Sequence, residues 1–416
     1  MNILLVYQYF HDKEVIGGSR FNEMCESWAR QGHKVTVLGG IIHYASKAEV
    51  PEEYKGRFLV REQYDENIEV IRCYVSPSYN ASYLGRFWGY LSFVISSIIG
   101  GVFKARSKYD LVLVSSPNLL NGITGYVLSR LKRIPLVFEI RDLWPESAID
   151  TGVLKNKRLI GFAYWLEGFI YRKSSLINVL TPAFRQKLIE HKNVASEKIV
   201  FIPNATDFNI SDDLLLNFNA QAFKKELGLE DKLVIIYVGA HGVANHLVQV
   251  LDTAELIEDT KAVFLLVGGG NRKDQLVEDA KKRGIKNVIF KDPVPKNEIM
   301  KYIMAADIGT SVLMKVDTFK TIYSNKTFDY MGCKKPILMA IDGVSRKLVE
   351  DALCGIYVEP ENPQDFAEKI RYYLDNPDIM PAQGQSGYDF AKENFDRMVL
   401  AEKYIEHLQE LVDKKK

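Results

Sequence analysis

Residues 262–270 read AVFLLVGGG: six apolar residues in a row and then three glycines, with NRKDQL (271–276) behind them. A strand wet on one face alternates apolar with polar residues, whereas an unbroken apolar run closed by turn residues and followed by a helical pattern reads as a strand buried on both faces. The signature recurs through the second half of the chain, in LVIIYVGA (233–240), NVIFKDPV (287–294), DIGTSVL (307–313), PILMAI (336–341) and GIYVEP (355–360). The first half carries it too, in ILLVY (3–7), VTVLGG (35–40), IEVIRCY (68–74), LVLVSS (111–116), PLVFEI (135–140) and LINVL (176–180). Buried strands alternating with helices make parallel sheets covered on both sides, so the fold class expected is α/β, with two doubly wound Rossmann-like domains in tandem.

The first domain is expected over 1–205 and the second over 206–385. TDFNISDDLLLNFNAQAF (206–223), rich in Asn and Asp, reads as the linker between them. Asn362 can cap a helix with Pro363 at its first position and Phe366, Ile370 and Leu374 on one face. A last helix, over about 386–413 of the terminal segment 386–416, is long enough to cross back onto the first domain.

A chain of 416 residues, 47% hydrophobic and 26% charged, fits two well-packed soluble domains. Fifty-four Lys and Arg balance 53 Asp and Glu, which removes any general electrostatic case for nucleic acid. Cys25, Cys73, Cys333 and Cys354 are scattered, with no CxxC pair and no His spacing suited to zinc, and read as reduced thiols. MNILLVYQYFHDKE lacks a basic leader and a cleavage site, so it reads as a first strand and the protein as cytoplasmic. FWGYLSFVISSIIGGVF (87–103) is uncharged and flanked by Arg86, Lys104 and Arg106. It is short for a membrane span, and reads either as an apolar packing helix or as one with a face left for the membrane interface, Trp88 and Tyr90 at headgroup level and Lys132 and Arg133 drawn to anionic lipid.

Ligands of doubly wound sheets bind beyond the carboxyl ends of the strands. After the first strand, Gly17 and Gly18 precede a helix and would let backbone N–H groups approach an anion beside Arg20, although a plain tight turn explains them equally. FEIRDLWPES (138–147) packs Glu139, Arg141, Asp142, Trp144 and Glu146 beside a buried strand, a density of charge that calls for partners or a function. Trp144 could offer a flat platform to a sugar. In YVGAHGVANHL (237–247), Gly239 ends a strand and is followed by His241, Asn245 and His246, with no third ligand for a metal. Gly268 and Gly269, ahead of Arg272, permit close approach to a nucleotide without the spacing of a dinucleotide fingerprint. Pro293 and Val294 of DPVPKNE (292–298) would floor a base.

SNKTFDYMGCKKPILMA (324–340) sets a helix start at Ser324 or Asn325, places Lys326 in the first turn and Lys320 just upstream, and puts Asp329 one turn further in. A helix N-terminus with lysines is an anion site. A carboxylate along the same helix suits the two hydroxyls of a ribose, or else serves as an ordinary ion-pair partner.

Taken in order, GGSR (17–20), QGHKVTVL (31–38), RDLWPES (141–147), IPNATD (202–207), VGAHGVANHL (238–247) and SNKTFDYMGCKKPIL (324–338) give the chain a resemblance to the retaining glycosyltransferases of family 4. It is most similar to the bacterial transferases of O-antigen, capsule and colanic acid assembly, L-fucosamine transferases included. The resemblance implies the GT-B fold of two facing domains, a nucleotide-diphosphate sugar donor in UDP form, a polyprenyl-diphosphate-linked saccharide acceptor, no cofactor and no metal, and a peripheral place on the inner membrane through 84–106. It implies that Asp329 holds the ribose, where the family has Glu, that Lys326 lies by the diphosphate, and that Gly17 and Gly18 form the glycine loop. The chain departs from the family at Thr321, where a second Glu is usual, at Ala240 and His246, where an Arg and a Lys are usual, and at Arg141, where many members have His. Lys320, Arg272 and Lys326 would then carry the phosphate charge. Asp142, Arg141, His241 and Lys326 are the catalytic candidates; Thr321, Ser324 and Asn325 join the donor site, and Arg20, Glu139, Trp144, Glu146 and Asn245 the acceptor and sugar contacts. A sugar-nucleotide epimerase of the same architecture and a non-catalytic sugar-nucleotide-binding subunit are the alternatives.

Overall fold

The computed structural model describes residues 1–10, 12, 20–42, 50–80 and 83–415. The chain divides into two compact units, Met1–Pro203 with Met398–Lys416, and Asn204–Arg397.

The first unit is built on eight strands, β1 (Asn2–Val6), β2 (Lys34–Gly40), β3 (Leu59–Asp65), β4 (Ile68–Cys73), β5 (Leu111–Ser115), β6 (Leu136–Ile140), β7 (Leu176–Val179) and β8 (Ile199–Phe201). They lie in the order β3-β4-β2-β1-β5-β6-β7-β8. Every neighbouring pair is parallel except β3 with β4. β1 is central, and its residues Ile3 to Val6 are fully buried between β2 and β5. Strand β3 escapes the sequence reading because it is an edge, alternating exposed with half-buried residues and hairpinned onto β4. The helices Tyr83–Phe103, Asn121–Lys132 and Lys157–Lys173 pack side by side on this sheet. The inward side of Tyr83–Phe103 is serine-rich but satisfied: Ser96 donates to the Tyr74 carbonyl at 2.7 Å, and the Ser97 and Thr124 hydroxyls meet at 3.0 Å. On the other face Trp28, from Arg20–Arg30, donates its indole N–H to the Ala401 carbonyl at 2.8 Å and meets the Tyr404 ring edge-on.

The second unit has six parallel strands, β9 (Leu233–Val238), β10 (Ala262–Val267), β11 (Val288–Lys291), β12 (Ile308–Val312), β13 (Ile337–Ala340) and β14 (Gly355–Tyr357). Their order is β11-β10-β9-β12-β13-β14. Numbered within the unit this is 3-2-1-4-5-6, the dinucleotide-fold order, whose direction reverses between β9 and β12 and opens a crevice there. The core gathers Ile235, Tyr237, Phe264 and Leu266 from the sheet against Phe366 and Ile370 of the helix Pro363–Asp375, which Asn362 caps by accepting from the Asp365 N–H.

Two expectations fail. The polar stretch 206–223 is no linker: it forms the helix Phe208–Asn217 and enters another, Ala220–Glu226, and the Asp and Asn that suggested a loop are N-caps, Asp207 accepting from the Asn209 N–H and Asn219 from the Ala222 N–H. The terminal helix is two helices, Ile379–Asn394 and Arg397–Asp413. The chain breaks at Phe395 and Asp396 because Thr206 takes the backbone there, its N–H donating to the Phe395 carbonyl and its own carbonyl accepting from the Arg397 N–H. The four cysteines are buried and unpaired. Among the described residues no helix is long and apolar enough to cross a membrane.

Candidate functional site

In the second unit the helix Asn325–Gly332 is aimed at the crevice by its own core residues. Tyr330 sends its hydroxyl under β9 and β12, where it lies 3.2 and 3.1 Å from the carbonyls of Ile236 and Thr310 and accepts from the Val238 N–H at 3.1 Å. Gly309 makes this approach feasible, since a Cβ there would stand 2.4 Å from the Tyr330 ring. Thr327 and Ser324 both hydrogen-bond Ser311 of β12 at 3.2 Å. Ser324 therefore occupies the cap position without capping: its hydroxyl is turned to Ser311, and among the described residues no side chain satisfies the first N–H groups of the helix.

Lys326 leaves this first turn towards Gly239, the residue that follows β9. Its ammonium sits 4.5 Å above the Tyr237 ring, and a Cβ at Gly239 would lie 3.4 Å from its Cε. None of the described residues gives this ammonium a hydrogen bond or an ion pair. Burial pushes its pKa down to about 8, with Asp329 pulling partly the other way. A half-buried, unpaired cation next to uncapped N–H groups is an arrangement that stabilises an anion. Tyr237, the platform for it, was missed in the sequence; a tyrosine in the penultimate position of a buried strand was the one available signal.

Asn325 and Asp329, one turn apart, face the 204–206 segment: Asn204 donates to the Asn325 amide oxygen at 2.5 Å and Thr206 to Asp329 at 3.3 Å. The IPNATD motif thus lies along the helix side where the ribose was expected. Thr321 donates to the Thr318 carbonyl at 2.6 Å, and Lys320 is held on the surface by Asp317 at 2.8 Å.

Behind Gly239, His241 is wholly buried, with neither ring nitrogen hydrogen-bonded. Burial, then the charges of Lys273 and Lys326, push its pKa down to about 4, so the ring is neutral. It is closed off from solvent between Tyr237, Phe290 and the Gly268 backbone. The turn carrying Asn245 and the loop carrying Gly268 and Gly269 are packed backbone to backbone, the His241 N–H donating to the Gly269 carbonyl at 2.8 Å. A Cβ at Gly269 would strike Pro293, which places Pro293 against that loop with Val294 next along the chain. Arg272 is exposed, bonds Gln275 at 2.5 Å and lines an apolar hollow of about 250 Å³ with His246 and Leu276.

In the first unit the end of β6 presents Arg141 and Asp142. Arg141 donates to the Tyr7 hydroxyl at 2.7 Å, and its backbone N–H to Ser116 at 2.8 Å. Asp142 accepts from the Ser147 hydroxyl at 2.8 Å, and burial raises its pKa. Trp144, half-buried, follows on the same loop. Three acceptor candidates are corrected. Arg20 and Glu139 are 6% and 0% exposed and pair with each other, through two bonds of 3.2 and 3.1 Å. Arg20 also donates to the Pro203 and Ile202 carbonyls, and Glu139 accepts from Asn178 and Ser115, so the pair fastens the sheet from inside. Glu146 takes the Lys192 ammonium at 2.5 Å in an ion cluster with Glu167. Lys132, expected to seek lipid, donates to the Ala105 carbonyl at 2.7 Å. Gly17 and Gly18 lie outside the described residues. Among the described residues no group of three or more His, Cys, Asp or Glu is placed to hold a metal ion.

These features define a doubly wound pair of units, the second with an unpaired lysine beside an uncapped helix start at its switch point. Comparison with known proteins agrees: the glycosyl transferase 4-like domain matches residues 17–205 and the glycosyl transferases group 1 domain residues 219–390. The chain belongs to the family 4 glycosyltransferases and has the GT-B fold. It is 24% identical over 417 residues to the putative colanic acid biosynthesis glycosyl transferase WcaI of Escherichia coli (strain K12), covering 98% of this chain and 99% of that one. Among solved structures it is similar to Anabaena Alr3699/HepE in complex with UDP, with a TM-score of 0.70 at 17% identity over 99% of this chain and 100% of that one. It is similar also to WaaG, a glycosyltransferase involved in lipopolysaccharide biosynthesis, with a TM-score of 0.70 at 15% identity over 98% and 99%.

Proposed function

We propose that this glycosyltransferase moves an N-acetylated or deoxy hexosamine from a UDP-sugar to a polyprenyl-diphosphate-linked saccharide during assembly of a surface polysaccharide, with retention and without a metal ion. The observation that carries the reading is the unpaired Lys326 ammonium beside the uncapped start of Asn325–Gly332. The colanic acid and lipopolysaccharide roles in the relatives' names support the acceptor class, and the UDP bound by HepE supports the nucleotide.

In this reading the diphosphate lies at the helix start and its ribose along the Asp329 side. The bond between the anomeric carbon and the diphosphate oxygen breaks, its electron pair passing to that oxygen. The acceptor oxygen bonds to the carbon on the same face, and its proton passes to the departing phosphate. Lys326 and the first N–H groups of the helix stabilise the growing negative charge, which is where electrostatic catalysis has its largest effect. Arg141 and Asp142 orient hydroxyls at their own strand end. The enzyme works at the cytoplasmic side of the inner membrane, where the 84–106 segment meets the lipid that carries the acceptor.

The test is incubation with a panel of UDP- and GDP-sugars, with and without a polyprenyl-diphosphate saccharide. Release of UDP only when the acceptor is added is the expected result. Isomerised donor, or binding without turnover, would replace the reading with an epimerase or a silent binding subunit.

A further inference from the structure

The helix Lys157–Lys173 carries a stripe that the site leaves unused: Arg158, Phe162, Trp165, Phe169 and Arg172, spaced by four, three, four and three residues and so on one face. Phe162 and Trp165 are 49% and 57% exposed. Their rings stack at 5.8 Å and 28°, and Trp165 stacks on Phe169 at 5.7 Å and 18°, which makes a continuous aromatic ladder in solvent. The helix has a single acidic residue, Glu167, and it lies on the buried side with Lys192. Phe169 meets Tyr126 of Asn121–Lys132 at 4.9 Å, and that helix packs in turn on Tyr83–Phe103. The last adds Trp88, Ile95 and Phe103, at 51%, 45% and 63% exposed, to the same side of the sheet. Isolated exposed apolar residues are ordinary; a stacked aromatic ladder with further exposed apolar side chains on the same layer of helices marks a contact surface.

We propose that this outer layer, led by the Arg158–Arg172 stripe, docks on a bilayer containing anionic lipid. The order of residues selects the occupant. Aromatic rings between two arginines, with no acid on the exposed stripe, suit the boundary of acyl chains and anionic headgroups. A second copy fits poorly, because antiparallel pairing of the stripe sets Arg158 against Arg172 with no carboxylate between them. The proposal rests on the lipid-linked acceptor reading only for its purpose, since docking itself needs neither donor nor acceptor.

The full chain is tested by co-sedimentation with vesicles of phosphatidylcholine and of equal parts phosphatidylcholine and phosphatidylglycerol. Binding to the mixed vesicles that weakens with added salt is expected. Phe162→Ser with Trp165→Ser should weaken it about 30-fold, and each of Arg158→Gln and Arg172→Gln about fivefold. Trp165→Phe should keep the binding while reducing the lipid-dependent change in tryptophan fluorescence, the remainder coming from Trp88. These side chains are exposed, so unchanged thermal unfolding of each variant separates lost docking from lost fold. Equal binding by wild type and the serine variant, no binding to either vesicle, or a self-association that the serine variant abolishes would overturn the proposal. UDP release with a water-soluble acceptor and no vesicles tests the transferase reading separately.

Discussion

A lysine beneath a strand-end glycine with no carboxylate to hold it is costly to the fold, and Lys326 shows the cost in its pKa of about 8. Its folded value lies below the ordinary lysine value of about 10.4, so the penalty is fully present below pH 8 and fades as pH rises towards that ordinary value. Lys326→Met should therefore raise stability at neutral pH by about 1–3 kcal/mol in urea unfolding, with the gain vanishing above about pH 10. The same variant should lower turnover by about 100-fold or more, as loss of an electrostatic donor does. Bound diphosphate raises the lysine's pKa, so UDP affinity of the wild type should hold below pH 8 and fall by up to about tenfold per pH unit above it. Calorimetric titration across that range checks this, and a flat profile would remove Lys326 from the anion site. Arg20 and Glu139 illustrate the opposite fate. Charge crowded at strand ends looked functional in the sequence, but their partners Asn178, Ile202 and Pro203 lie far along the chain, and only the fold shows the pair saturated. Arg20→Met should cost about 3–5 kcal/mol by stranding a buried carboxylate, and leave the KM for acceptor unchanged in the protein that still folds.

At the scale of elements, what the sequence shows depends on how many faces are buried. Strands such as β1 and β10 are covered on both sides and stand out as apolar runs, while β3, covered on one, hides in an alternation that resembles a loop. The break at Phe395 and Asp396 carries no Gly or Pro; it is imposed by backbone pairing with Thr206, almost two hundred positions away, and local pattern holds no trace of it. The helix Asn325–Gly332 was visible from SNKTFDYMG, but its aim was not, because Gly309 and Tyr330 set it from the sheet. Gly309→Ala tests that dependence. Its methyl would meet the Tyr330 ring and should cost about 1–3 kcal/mol of overpacking. Tilting the helix start should also weaken UDP binding beyond what the stability loss explains. Tyr330→Leu, which clears the ring, should relieve the stability cost of Gly309→Ala without restoring affinity, since the hydroxyl that fixes the helix under Ile236 and Thr310 goes with it.

Across the whole molecule, the chain leaves its first unit at Pro203 and returns to it at Met398. The returning segment buries Leu400, Ala401, Tyr404, Ile405, Leu408 and Val412, and its Ala401 carbonyl takes the Trp28 indole. Burial of a large apolar side chain is worth about 1.5–3 kcal/mol, so five of them together rival the whole stability of a typical domain, about 5–15 kcal/mol. Deleting residues 398–416 should therefore unfold or grossly loosen the first unit, although every residue of its sheet remains. The second unit, Asn204–Arg397, keeps its six strands and its own core and should survive the same deletion. Limited proteolysis of the truncated chain should then accumulate a fragment beginning near Asn204, whereas the intact chain resists at both units. Hydrogen exchange gives the finer reading, with protection lost in β1 and β5 and retained in β9 and β12. Protection retained throughout would mean that the sheet of the first unit is stable without its C-terminal cover, and that the segment returns for a reason other than folding.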